Sequence, residues 1–111
     1  MSPITTHVLD TALGRPAAGI TVLLAKASGK GWTDAGRGVT DADGRCRTLM
    51  GARKLKKGVY RLTFGVASYF KRTKQAAFYP SVAIVFTVRD AGHHHVPLLL
   101  SPWGYSTYRG S

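Results

Sequence analysis

The chain has 111 residues, 44% of them apolar, which is enough to bury a core and too apolar for a disordered chain. Its lone cysteine, Cys46, excludes an intrachain disulfide and points to a reducing compartment, here the cytoplasm. Sixteen Lys and Arg stand against five acids, all Asp, for a formal net charge of +11. A balance this basic suits nucleic acid or another polyanion, yet no helix-turn-helix, zinc-finger or RNP-like pattern accompanies it.

Met1-Ser2-Pro3 runs straight into strand-like sequence, so no leader is expected, and no apolar run approaches membrane-spanning length. Thr5–Asp10 alternates as a strand, with Thr5, His7 and Leu9 on one face and Thr6, Val8 and Asp10 on the other. Leu13–Gly19 is turn chemistry, and Ile20–Lys26 is a more continuously apolar strand. Gly29–Gly31 links it to a third strand, Trp32–Val39. Thr40–Gly44 (TDADG) is a tight turn, because Asp and Gly supply the side-chain bonds and the positive φ that turns need. Arg45–Leu49 is expected as a short strand and Gly51–Gly58 as a basic connection. Val59–Phe64 is a strand, and Ala67–Gln75 is the one stretch patterned for a short helix. Phe78-Tyr79-Pro80 breaks it. Ser81–Val88 is rich in β-branched and aromatic residues. After the loop Asp90-Ala91-Gly92, His93–Leu100 and Trp103–Arg109 form two strands around a corner at Pro102. Seven or eight short strands and one helix near residues 67–75 predict a single all-β domain, a two-sheet sandwich spanning 1–111.

Alternation sorts the polar residues. If Val8, Val96, Leu98 and Tyr105 fill the core, then His7, His95, Ser106 and Tyr108 face outward, on one sheet. His93 and His95 share a face and offer two metal ligands, but no acid or Cys supplies a third, so no metal is expected. Ser106 lacks a G-x-S-x-G elbow and an obvious Asp partner, which weighs against a Ser-His-Asp triad. No phosphate-cradling Gly loop is present. Cys46 lies between Arg45 and Arg47, cations that would lower a thiol pKa, although a structural cysteine is the preferred reading. The cations are scattered apart from Arg53–Lys57 (RKLKK) and Lys71–Lys74 (KRTK).

Three segments resemble a known family, the 5-hydroxyisourate hydrolases, a branch of the transthyretin-like proteins. They are Ser2–Asp10 (SPITTHVLD), Thr40–Cys46 (TDADGRC), and His95–Pro102 (HVPLLLSP) continuing to the terminal Tyr108-Arg109-Gly110-Ser111. The resemblance implies a transthyretin-like sandwich that assembles as a homotetramer, a dimer of dimers, with active sites in a central channel. It implies hydrolysis of 5-hydroxyisourate with no cofactor. His7, Arg45, His95 and Ser111 would carry the reaction, and Ser106, Tyr108, Arg109 and Gly110 would bind substrate. His93 and His94 are expected to be incidental. The chain departs from the family at Phe64-Gly65-Val66-Ala67, where an acidic approach to the helix is usual. It departs again at His94, where Tyr is common, and in the complete absence of Glu. These departures describe a surface-altered, derived or engineered member. Two other functions fit the same residues: a small-ligand carrier of transthyretin type, and a cationic scaffold for polyanions.

Overall fold

The alternating N-terminal stretch folds as its pattern predicts. In the computed structural model, which describes residues 2–111, it is strand β1 (Ile4–Asp10), with Thr6, Val8 and Asp10 buried and His7 and Leu9 half-buried. A two-residue strand β2 (Arg15–Pro16) follows, then β3 (Thr21–Ser28), β4 (Gly31–Val39) and a second two-residue strand, β5 (Arg45–Cys46). The remaining elements are β6 (Gly58–Gly65), helix α1 (Ala67–Arg72), β7 (Val82–Val88), β8 (His94–Ser101) and β9 (Gly104–Thr107).

The strands form the expected two sheets. One has the order β2-β1-β8-β9, with β5 also on β1, and the other runs β4-β3-β6-β7. The β1–β8 pair is parallel, whereas each of the other pairs is antiparallel. The core lies between the sheets. Ile4, Val8, Val96, Leu98 and Leu100 come from the first, and Val22, Leu24, Tyr60, Leu62, Phe64 and Val82 from the second. Each such side chain contributes about 1.5–3 kcal/mol through burial.

Four local expectations differ from the structure. The Leu13–Gly19 turn contains β2, which pairs with Leu9 and Asp10 at the end of β1. The Arg45–Leu49 strand stops after Cys46, and Thr48 instead accepts from Gly51 in a turn. The helix ends at Arg72, not Gln75. Lys74 takes a left-handed φ of 57°, the Gln75 N–H bonds to the Phe70 carbonyl and the Lys74 N–H to that of Lys71, the double bond of a Schellman stop. Tyr105 was expected in the core and is 42% exposed. It is paired with the inward-facing Leu100, but β9 is the edge strand of its sheet, so the ring packs edge-on against Tyr79 at 5.4 Å.

Candidate active site

The parallel register of β1 on β8 sets Thr5 beside His95 and His7 beside Pro97, and β5 brings Arg45 opposite His7. These side chains share the outer face of the first sheet, as alternation requires. An open hollow of about 160 Å³ lies there, bounded by Thr5, Arg45, Arg47, His93, His95 and Ser111.

The TDADG turn delivers Arg45. Asp41 Oδ1 accepts the N–H groups of Asp43 and Arg45, each at 2.9 Å. The Arg45 amide above all holds the Asp41 carboxyl below its ordinary pKa; burial, next in weight, opposes it, and the Asp43 amide and the nearby Arg47 and Arg45 charges lower it further. Gly44 has a φ of 76°, which favours glycine, and a Cβ there would meet the Val8 carbonyl oxygen at 2.4 Å. The same turn fixes His7. Its Nε2 lies 2.8 Å from the Asp43 carbonyl oxygen. A carbonyl only accepts, so Nε2 carries the proton and Nδ1 is bare in the neutral ring.

The last residues border the hollow. Gly110 donates its N–H to the His95 carbonyl at 2.8 Å, an isolated bridge that keeps the register of the β8–β9 ladder. Pro97 has no N–H to give to this ladder, and its carbonyl is taken by the Thr107 hydroxyl at 2.6 Å. The ladder therefore opens opposite Tyr108 and resumes at Gly110. Tyr108 and Arg109 line a second hollow of about 250 Å³, beside Ile84–Thr87, His94 and Val96. This corrects the expectation that Tyr108 faces outward with His7 and His95. Ser106 lies exposed opposite Leu99. Thus Arg45, His95 and Ser111 meet, His7 adjoins them through Arg45, Gly110 backs His95, and Ser106, Tyr108 and Arg109 stand outside the first hollow.

His95 is held below the ordinary histidine pKa. Burial acts most, followed by the positive charges of Arg45, His93 and His7, while a hydrogen bond with the Thr5 backbone opposes them. The ring is therefore neutral at pH 7 and able to take a proton. Cys46 is buried, in keeping with the structural reading. Burial lifts its pKa, reinforced by Asp41 and only partly offset by hydrogen bonds from Thr48, so the neighbouring arginines do not activate the thiol.

His93 and Thr5 were missed as site residues. Thr5 Oγ1 is 2.9 Å from His93 Nε2 and 2.8 Å from His95 Nδ1, and the two imidazoles stack with centroids 6.4 Å apart. The shared face of His93 and His95 was the available signal. The contact with Thr5 depends on the β1–β8 register. A larger cleft of about 540 Å³, with Lys26, Arg53, Lys54, Lys56 and Tyr60 in its wall, shares no residue with this hollow.

Residues 4–110 match the model of the HIUase/Transthyretin family. The chain is 51% identical to the 5-hydroxyisourate hydrolase of Deinococcus radiodurans over 113 residues, covering 97% of this chain and 95% of that one. Among solved structures, a Klebsiella pneumoniae 5-hydroxyisourate hydrolase superposes with a TM-score of 0.85 at 36% identity, covering 97% of this chain and 98% of that one. Sea bream transthyretin, solved in complex with thyroxine, superposes with a TM-score of 0.91 at 30% identity, covering 98% and 95%. The sheet order, the hollow and these likenesses agree, and the chain belongs to the HIUase/Transthyretin family.

Proposed function

We propose that this chain hydrolyses 5-hydroxyisourate to 2-oxo-4-hydroxy-4-carboxy-5-ureidoimidazoline in urate breakdown. The observation that carries this reading is the meeting of His95, Arg45 and Ser111 in one open hollow, with His7 beside them, in a chain about half identical to a curated hydrolase. Water adds to a ring carbonyl, the adjoining C–N bond breaks, and the ring nitrogen leaves with a proton while a carboxylate forms. In this scheme neutral His95 takes the proton from water, and His7 orients water or substrate through its bare Nδ1. Arg45 holds the substrate edge and stabilises negative charge developing on the carbonyl oxygen. Ser111 hydrogen-bonds the substrate. The scheme calls for no metal or cofactor.

The hollow is open in a single subunit. A homotetramer, a dimer of dimers, would cover it with a second copy and exclude water from the reaction, and the terminal Tyr108-Arg109-Gly110 would contribute to substrate binding in that assembly. The buried free thiol of Cys46 supports the cytoplasm as its compartment.

The test follows the ultraviolet absorbance of freshly generated 5-hydroxyisourate with and without protein. Decay faster than the spontaneous rate is the expected result. No acceleration would overturn the reading. Thyroxine binding without hydrolysis would favour a carrier, and salt-dependent retention on a polyanion without hydrolysis would favour a cationic scaffold.

A further inference from the structure

Thr5 lies on the outward face of β1, yet it is only 4% exposed. Its hydroxyl meets two imidazole nitrogens, His93 Nε2 and His95 Nδ1, and these are its hydrogen-bond partners. A buried hydroxyl proton needs an acceptor, since leaving it unpaired costs the desolvation of that group. Among the described residues, the groups within hydrogen-bond distance that can take it are these two ring nitrogens, so at least one of them is bare. A neutral imidazole carries one proton, so the choice at the Thr5 side decides which nitrogen of His95 is left for the hollow.

Two arrangements satisfy this. In one, Thr5 donates to His95 Nδ1 and the His95 proton sits on Nε2. In the other, Thr5 donates to His93 Nε2 and accepts from His95 Nδ1–H, which leaves a lone pair on His95 Nε2. The Arg45 guanidinium brings positive charge to the His95 ring and can only donate. That field favours a lone pair over an N–H at the nitrogen not tied to Thr5. His93 is exposed, so the proton then left on its Nδ1 can reach water.

We infer that Thr5 is a positioning residue that couples the two imidazoles, donating to His93 Nε2 and accepting from His95 Nδ1–H so that His95 Nε2 is bare toward the hollow. His93 thereby sets the tautomer of His95. The catalytic consequence rests on the hydrolase reading above, but the tautomer does not.

The experiment is long-range proton–nitrogen NMR on protein labelled with ¹⁵N-histidine, without substrate, paired with steady-state hydrolysis of 5-hydroxyisourate. The unmodified protein is expected to show His95 as the Nδ1–H tautomer. Thr5→Val should move it to Nε2–H and lower kcat by about 10²-fold with KM little changed. Thr5→Ser keeps the hydroxyl and should restore both. His93→Leu removes the acceptor at an exposed position, so the Thr5 proton turns to His95 Nδ1 and the same tautomer change is expected without disturbing the core. Finding His95 as Nε2–H in the unmodified protein, or unchanged in folded Thr5→Val or His93→Leu, would overturn the coupling. A protein with the expected tautomers but no hydrolysis would count against the reaction alone.

Discussion

Gly110 and His95 face each other across a single antiparallel bridge, and the imidazole occupies the space a side chain at 110 would need. A Cβ at Gly110 would stand 2.7 Å from His95 Cδ2 and 3.4 Å from both His95 Cγ and Pro97 Cγ. Gly110→Ala must therefore push the ring away from its place over Thr5. A displacement of about 1 Å in a catalytic group can cost about 10²-fold in rate. The expected outcome is a loss of that order in 5-hydroxyisourate hydrolysis, with a thermal midpoint close to that of the unmodified protein because the residue forms one isolated bridge outside the named strands.

The pH profile follows from the direction of the His95 shift. A general base must be neutral to work, and a lowered pKa keeps it neutral in more acidic solution than usual. Activity should rise with pH through a midpoint below the ordinary value of 6.5 and stay level above it. Arg45→Gln removes one of the charges that holds the ring neutral, so the midpoint should move up. The same change removes a donor to the developing oxyanion, worth about 10²–10³-fold in kcat. A profile of kcat/KM against pH separates the two effects, since only the first moves the midpoint.

Much of the fold was legible from period and punctuation. Alternation in SPITTHVLD and HVPLLLSP sorted Val8, Val96 and Leu98 inward and His7 and His95 outward, as observed. The positions of the turns marked out the sandwich. The misreadings have physical causes. β2 and β5 are two-residue pairings on β1, too short to leave a periodic trace. Tyr105 has an inward-facing partner, but alternation does not reveal that its strand lies at an edge. Tyr108 leaves the expected face where the ladder is interrupted opposite Pro97, eleven residues away on the neighbouring strand, which lacks the N–H that would have kept the ladder closed. Thr5 and His93 are 88 residues apart and meet only through a parallel pairing, which nothing in either segment specifies.

The helix stop offers a separate test. Lys74 holds a φ of 57° at the position where glycine usually ends a helix. Left-handed backbone costs a non-glycine residue about 1–2 kcal/mol, partly offset by the greater unfolded-state freedom of glycine. Lys74→Gly should stabilise the protein by about 0.5–1 kcal/mol in denaturant unfolding, while activity stays the same because the residue lines neither hollow.

The buried pair Asp10 and Tyr69 ties the helix to β1. The Tyr69 hydroxyl donates to Asp10 Oδ2 at 2.7 Å, Gln75 donates to the same oxygen at 3.1 Å, and the Leu13 amide donates to Oδ1 at 2.9 Å. Burial pushes the Asp10 carboxyl up, but the hydrogen bonds from Tyr69, Leu13, Gln75 and Ala12 together outweigh it and leave the pKa below 3.8. Tyr69 is pushed up to about 12 by burial first and then by its bond to the Asp10 carboxylate, so it stays a donor throughout the working range. Tyr69→Phe removes a donor from a buried charge and should cost about 1.5–3 kcal/mol. Because the folded pKa of Asp10 is depressed, its contribution is present above the unfolded value of 3.8 and lost as pH falls through the folded one. The stability gap between the unmodified protein and Tyr69→Phe should therefore be full at pH 7 and narrow below about pH 3.8. Denaturant melts of the two proteins across that range measure it, and a gap independent of pH would show that Tyr69 acts through ring packing and not through the carboxylate.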